Sequence, residues 1–161
     1  MKRLHMHWSA GADGVIAMES NRYHFLVGRD GKITAGVPVS ANAAPIRGNY
    51  AAHTLNANTD AIGVCMDAMA GAVERPFSAG EYPITPIQVD VFCRLCADLC
   101  KQYDIPITRS TVLTHAEVQP TLKIPQRQKW DITWLPGMSA PRNPIVVGDI
   151  LRQKIIDWGL K

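Results

Sequence analysis

The sequence predicts a single domain of the α/β or α+β class, in which helices flank a central mixed β-sheet. The chain has 161 residues, about the size of one domain. Hydrophobic residues make up 47% of it and charged residues 19%, so it can bury a sizeable core and is not a disordered polymer. Strand-like and helix-like segments follow one another without regular alternation, which favours one sheet with helices around it.

The first part of the chain predicts strands. Residues 3–8, RLHMHW, form a strand that places His5 and His7 on one face, because side chains alternate along a strand. A small-residue turn, SAGADG at 9–14, follows, and residues 14–22 are either a short helix or an irregular segment. In YHFLVGRDGKITAG two apolar runs flank an Asp-Gly pair, which predicts a β-hairpin.

Loops and two buried strands are predicted further along. Residues 36–60 are rich in Ala, Asn, Pro and Gly and indicate a long surface loop. The run AIGVCMDAMAG at 61–71 begins as a short buried strand, and residues 74–82 form another loop. A strand at 111–114 ends at His115, and the stretch HAEVQPTLKIPQRQKWD that begins there, with two prolines, shows little regular pattern.

Two helices complete the prediction. The first covers about 86–103, where apolar residues recur at helical spacing and Thr85, Pro86 and Gln88 supply an N-cap hydroxyl, a proline at N1 and a capping-box partner. Prolines and glycines in 135–148 predict an extended linker, and the tail VGDILRQKIIDWGLK predicts a closing amphipathic helix.

Three of the four cysteines, in CRLCADLC, lie within the first helix. Such a cluster is compatible with a metal or iron–sulfur site. However, Cys93, Cys96 and Cys100 fall on the apolar stripe of the helix, and free cysteine packs as a small hydrophobic residue. We interpret them as reduced core cysteines, which agrees with a cytoplasmic origin.

Charge and terminal composition restrict the partners. The net charge of +3 is too small to indicate nucleic acid, and no nucleic-acid partner is expected, although an anionic polymer is compatible with it. No apolar run approaches the roughly 20 residues of a membrane span. The start MKRLHMHWSAG lacks an apolar segment after its basic residues, so we expect no signal peptide and synthesis in the cytoplasm.

Histidines at strand ends indicate a possible metal site. His7 ends the first strand before a glycine-containing turn, and His115 ends a later strand. A catalytic zinc needs three protein ligands and one open position, which strand ends beneath loops can provide. Spacing alone does not establish this, because no HExxH motif or CxxC pair requires a metal at these histidines.

Several segments together resemble one known family. They are HWSAG, YHFLVGRDGKITAG, AAHTLNANTDAIGV, TPIQVDVFCRLCADLCKQYDIP, THAEV and KWD, in that order over roughly residues 4–135. Their order and spacing resemble the zinc-dependent N-acetylmuramoyl-L-alanine amidases, the family that includes phage amidase lysozymes, cytosolic muropeptide amidases and peptidoglycan recognition proteins. The resemblance implies the peptidoglycan-recognition/amidase fold for a single domain over 1–161, with residues 136–161 as a C-terminal extension and helix.

The resemblance also implies a site. One Zn²⁺ ion would be bound by three residues: His7, His115 and Asp131. Lys129 would stabilise the oxyanion that forms on the substrate, and Tyr23 would orient or exchange protons with the water or oxyanion. His53 either contacts substrate in the cleft or hydrogen-bonds a loop, while His24 is expected to be structural and His5 to be a partly exposed strand residue.

Two positions depart from parts of the family. Many members have cysteine as the third ligand, where this chain has Asp131 as in the cytosolic muropeptide branch. The cytosolic muropeptide branch also has a catalytic glutamate in the Ile-Gly strand. At that position this chain has Cys65, which resembles the phage lysozyme branch. We therefore assign proton transfer to Tyr23 and Lys129, and interpret Glu117 as a supporting or surface carboxylate and not as a base.

The function expected from the resemblance is hydrolysis of the amide between N-acetylmuramic acid and L-alanine of peptidoglycan. A phage or prophage endolysin, monomeric and released to the wall through a holin, is the leading expectation. A cytosolic muropeptide-recycling amidase and a non-catalytic peptidoglycan-binding protein are the alternatives. Retention of all five residues expected at the metal argues against the last of these.

Overall fold

A five-stranded mixed sheet forms the centre of the fold. The computed structural model describes residues 1–12 and 14–161, so the predicted turn at 9–14 includes one residue, Asp13, outside the described part. The strands are β1 (Arg3–Trp8), β2 (Phe25–Val27), β3 (Ile33–Ala35), β4 (Ala61–Met66) and β5 (Val112–Thr114). Their order is β3-β2-β4-β1-β5, with β3 antiparallel to β2 and the other pairs parallel.

Helices flank this sheet, which confirms the predicted fold class. They are α1 (Ala17–Ser20), a 3₁₀ turn (Val39–Asn42), α2 (Pro86–Gln102), α3 (His115–Leu122) and α4 (Pro144–Gly159). The two long helices, α2 and α4, contact each other and share one apolar core with the sheet. Within the described residues, no helix has the length and hydropathy needed to cross a membrane.

The two faces of the sheet have different chemistry. Alternate residues of β1 and β4 belong to the apolar core with α2 and α4, namely Leu4, Met6, Trp8, Ile62, Val64 and Met66. The residues between them point to the other face, where His5 pairs with Gly63 and His7 with Cys65. A glycine is needed at 63 because a Cβ there would overlap the ring of His53. The second face therefore accommodates a cluster of imidazole rings.

The start of α2 agrees with its predicted capping box. Gln88 N–H donates to the Thr85 hydroxyl at 3.1 Å, and Thr85 N–H donates to Gln88 Oε1 at 3.2 Å. The Gln88 side-chain amide also donates to the carbonyl of Val27 at 2.8 Å, which attaches the helix to the β2–β3 hairpin. The cysteines are all free and buried, as predicted for core residues.

The stretch after β5 differs from the prediction. The sequence predicted little regular structure from His115 onward, but His115–Leu122 is helix α3. The helix begins with a carboxylate cap, because Glu117 Oε2 accepts from Thr114 N–H at 2.8 Å. The Thr-x-x-Glu spacing was a start signal that the nearby Pro120 obscured.

The predicted linker is also shorter than expected. It was predicted over 135–148, whereas α4 already begins at Pro144, with the Asn143 side chain accepting from Ile145 N–H at 2.9 Å. A backbone N–H at the first helical position has no partner within the helix, so proline, which has no N–H, is favoured there. Pro144 therefore begins a helix and does not extend a linker.

The prediction for His5 is wrong. We expected a partly exposed strand residue, but its exposed fraction is 0%. The long 36–60 loop covers this face of the sheet, and its Thr54 hydroxyl lies 3.0 Å from His5 Nδ1.

Candidate metal centre

Three predicted ligands meet at the carboxyl end of β1. His7 lies near the end of β1. His115 is the first residue of α3 and directly follows β5, the strand that pairs with β1 in the sheet. Asp131 returns to the same place because its carbonyl accepts from Ala116 N–H at 2.6 Å. The ligand atoms of His7, His115 and Asp131 all lie within 4.8 Å of one another, and all three residues are buried.

The nitrogen atoms that face this centre are both Nδ1. His7 Nδ1 lies 3.1 Å from His115 Nδ1 and 3.3 Å from Asp131 Oδ2, and His115 Nδ1 lies 3.4 Å from Asp131 Oδ1. Whether these nitrogens carry protons depends on the other nitrogen of each ring, since a neutral imidazole has one N–H and one lone pair.

The tautomer of His115 follows from a hydrogen-bond chain that ends on a backbone carbonyl. The side-chain nitrogen of Gln126 lies 2.8 Å from the Leu55 carbonyl, which can only accept, so the amide must donate there. Gln126 Oε1 then faces His115 Nε2 at 2.8 Å and accepts its proton. A neutral His115 therefore presents a bare Nδ1 to the centre.

The tautomer of His7 follows in the same way. His53 Nε2 lies 3.2 Å from the Ala61 carbonyl and donates to it, so His53 Nδ1 carries the lone pair. That atom lies 3.1 Å from His7 Nε2, which must donate. A neutral His7 also presents a bare Nδ1.

When both rings are neutral, two lone pairs and one carboxylate converge with no hydrogen between them. Burial lowers the pKa of His7 to about 4, against the effect of Asp131. Burial also lowers the pKa of His115, but Asp131 and Gln126 outweigh it and raise the pKa overall. Burial raises the pKa of Asp131, yet both histidines bring it well below its usual value. A positive charge is therefore favoured at this point, and two imidazoles with one carboxylate suit a zinc ion that keeps an open position.

The predicted catalytic residues border the same centre. Tyr23, Lys129 and two of the predicted ligands, His115 and Asp131, line a cleft of about 630 Å³. Lys129 is exposed and follows a turn in which Arg127 and Gln128 have left-handed backbone conformations. The Tyr23 ring lies 5.3 Å from the His7 ring. Burial, with Cys65 and Asp131 nearby, raises the pKa of Tyr23, so its hydroxyl keeps its proton.

Other residues singled out from the sequence lie around the centre. His53 is 6% exposed at the cleft, and both of its ring nitrogens have protein partners. His24 is buried, with Nε2 at 3.0 Å from Asn42 Oδ1 and Nδ1 accepting from Gly63 N–H at 2.9 Å. Glu117 is fully buried and binds Arg152 at 2.7 Å, so it is neither a surface carboxylate nor an available base.

The sequence analysis did not identify two supporting residues. Gln126 sets the tautomer of His115, and Arg152 anchors the helix that begins with His115. Gln126 lies within the irregular stretch between two ligands, and only the fold brings its amide to His115. Arg152 comes from the C-terminal helix and reaches α3 across 35 residues of sequence. The Thr-x-x-Glu capping signal at 114–117 indicated that Glu117 faces the backbone and not the cleft.

Family comparison agrees with this geometry. A sequence model described as N-acetylmuramoyl-L-alanine amidase matches residues 2–137. The chain belongs to this amidase family. The predicted family and the expectation of an N-acetylmuramoyl-L-alanine amidase are thereby confirmed, although no curated protein matches the chain.

Solved structures show the same fold at low sequence identity. The amidase LysC from Clostridium intestinale URNW is 18% identical, with a TM-score of 0.57 over 96% of this chain and 85% of that chain. AmiD from E. coli, solved with anhydro-N-acetylmuramic acid-L-Ala-D-gamma-Glu-L-Lys, is 21% identical, with a TM-score of 0.58 over 83% and 52%. Bumblebee PGRP-SA is 16% identical, with a TM-score of 0.50 over 88% and 86%.

Replacing Gln126 in this amidase should weaken zinc binding without removing a ligand. Gln126→Leu deprives the His115 Nε2 proton of its acceptor, so the ring and its tautomer are no longer fixed. Losses of this kind cost roughly 10- to 100-fold in metal affinity. Competition with a chromophoric chelator measures the effect, with Gln128→Leu, an exposed neighbour, as the control. Equal zinc affinity in Gln126→Leu and the unmodified protein would show that the hydrogen bond has no such role.

Proposed function

We propose that this amidase binds one zinc ion through His7, His115 and Asp131 and hydrolyses the amide between N-acetylmuramic acid and L-alanine of peptidoglycan. The observation that supports this most strongly is the convergence of two bare Nδ1 atoms and one carboxylate at the bottom of an open cleft. A purely structural zinc site would have four protein ligands and no access for substrate.

The residues of the chain divide the chemistry between them. When bound, zinc lowers the pKa of a water molecule toward neutrality and polarises the scissile carbonyl. Lys129 places a cation beside the cleft, where negative charge develops on the carbonyl oxygen in the transition state. The protonated hydroxyl of Tyr23, whose ring lies beside that of His7, supplies a hydrogen-bond donor. Buried Cys65 lies beside His7 in the sheet and its pKa is raised by burial, so it stays neutral.

Removing the cation should reduce turnover and leave the metal in place. We expect Lys129→Ala to lower kcat about 100- to 1,000-fold, as loss of an oxyanion-stabilising group does. Zinc content and thermal stability should be unchanged, because Lys129 is exposed and no described contact binds it to the ligands. Steady-state kinetics with zinc analysis measures both. Lys123→Ala is the matched control, since Lys123 is also exposed but does not line the zinc cleft. Loss of zinc in Lys129→Ala would overturn the assigned role.

We further propose a phage or prophage endolysin, acting on intact cell wall as a monomer after release from the cytoplasm. A protein of the same fold that is named an endolysine, LysCS from Clostridium intestinale URNW, supports this proposal. A muropeptide-recycling amidase would use the same centre on soluble fragments. Substrate contact by His53 stays a prediction, and its contacts with His7 and Ala61 support a role in orienting His7.

Digestion of purified sacculi by the zinc-loaded protein tests this function. Mass spectrometry should detect free stem peptides that begin with L-alanine and intact glycan strands, and EDTA should abolish both products. Release only from soluble muropeptides would favour the recycling enzyme. Inactivity on both substrates, with zinc bound, would leave a peptidoglycan-binding protein.

A further inference from the structure

A second groove continues from the zinc cleft on the far side of Lys129. It has a volume of about 830 Å³ and shares Gln128, Lys129 and Trp130 with the zinc cleft. Its other walls come from two separate segments, the loop after β4 with Arg75 and Phe77 and the segment before α4 with Arg142. A ligand that extends beyond the zinc centre in this direction would pass between these segments.

The charge of this groove is mainly positive. Arg75, Arg142 and Lys129 line it against a single carboxylate, that of Glu74. Both arginines are exposed, and across residues 1–12 and 14–161 neither has an ion-pair partner. Among the exposed arginines of the described residues, Arg109 does have such a partner, since it lies 2.8 Å from Asp149. The groove therefore holds two guanidinium groups that can bind an anion without giving up an existing ion pair.

A buried polar atom also lines the groove. Thr133 is 4% exposed, and its hydroxyl has no hydrogen-bond partner among the described residues. Its carbonyl accepts from Arg142 N–H at 2.9 Å, which fixes the backbone of Arg142 beside it. Thr133 therefore holds the backbone of the segment that carries Arg142 against the groove.

We propose that Arg75 and Arg142 bind carboxylates of the stem peptide, and so select for anionic peptides on the leaving side of the cleaved amide. This inference rests on the proposed function. A glutamate joined through its γ-carboxyl keeps a free α-carboxylate, as in the peptide present in the AmiD complex. The sugar side of the scissile bond has no such charge, because its lactyl carboxyl is already in the amide. Guanidinium groups bind carboxylates with two parallel hydrogen bonds, which gives geometric selection as well as attraction.

The groove lies only partly within the segment that the family model matches. Arg75 falls inside residues 2–137, whereas Arg142 lies beyond them. The pair therefore joins a loop of the matched segment to the C-terminal part of the chain.

The test compares two soluble substrates that differ in one group. The first is N-acetylmuramoyl-L-Ala-D-γ-Glu-L-Lys, and the second is the same compound with the glutamate α-carboxylate amidated. We expect the unmodified enzyme to prefer the first by about tenfold in kcat/KM, mainly through KM, as a charge-assisted hydrogen-bonded pair allows. The double variant Arg75→Gln/Arg142→Gln should lose this preference while its rate on the amidated substrate stays the same. Arg47→Gln, an exposed arginine outside the groove, is the matched control.

A binding measurement separates this inference from the proposed function. Calorimetry with the free peptide L-Ala-D-γ-Glu-L-Lys requires no hydrolysis, and the double variant should bind it about tenfold more weakly than the unmodified protein. Equal preference or equal peptide binding in the double variant and the unmodified protein would overturn the subsite. If no substrate is cleaved but binding still depends on the two arginines, the hydrolytic function fails and the subsite stands.

Discussion

Asp131→Ala is expected to abolish stoichiometric zinc binding and amide hydrolysis together. The substitution removes the carboxylate from a centre whose other donors are two imidazole nitrogens. Losing a ligand should cost more than the roughly 100-fold that loss of an outer hydrogen-bond partner costs. Dialysis followed by metal analysis measures the zinc, and release of stem peptides from sacculi measures the activity.

The fold of this variant should survive, which makes the result interpretable. Asp131 is the acidic partner of His7 and His115, so without it both rings face each other at 3.1 Å as uncharged groups. Asp131→Cys is the informative control, because a thiolate is a good zinc ligand and should restore binding. A fully zinc-loaded and active Asp131→Ala protein would show that the metal, if any, lies elsewhere.

Arg152→Met is expected to destabilise the protein more than any surface substitution. Arg152 is 4% exposed and Glu117 is fully buried. Their guanidinium and carboxylate groups form two hydrogen bonds of 2.7 and 3.0 Å. Removing one partner of a buried ion pair leaves an uncompensated charge, which costs about 3–5 kcal/mol. Urea denaturation of the two proteins at neutral pH measures the difference in free energy of unfolding.

A second variant tests whether the unpaired charge of Glu117 causes the loss of stability in Arg152→Met. Glu117→Gln/Arg152→Met keeps the shape of the Glu117 side chain without its charge, so it should recover much of the stability. Arg109→Met is the control for an exposed ion pair, since Arg109 contacts Asp149 at the surface, and it should change stability little. A small effect of Arg152→Met would mean that Glu117 takes up a proton or reaches water when its partner is removed.

Local signals predicted the parts of the fold that depend on neighbouring residues. Thr85, Pro86 and Gln88 specify the start of α2 within a few positions of sequence, and the Asp-Gly pair specifies the hairpin. The capping signal at Thr114 and Glu117 was equally local, but Pro120 lies inside α3, and a proline there normally indicates the absence of a helix.

Contacts between distant segments could not be predicted in this way. Burial of His5 depends on the loop residue Thr54, which lies 49 positions away. The tautomer of His115 depends on a carbonyl of Leu55 that reaches it only through Gln126. The likeness to a known family placed the ligands at the centre, whereas the supporting residues became visible only when the chain was folded.

The ion pair between Arg152 and Glu117 has a consequence for the order in which the enzyme is made. Synthesis runs from the N-terminus, so His7, His115 and Asp131 are all complete before Arg152 is added, 35 positions after Glu117. Until then the helix that begins with His115 contains a buried acid without its cation. A chain that ends before Arg152 therefore carries every proposed zinc ligand but lacks the anchor that holds one of them in place. Hydrolytic capacity would arise only after Arg152 has been added, and not gradually as the proposed ligands are made.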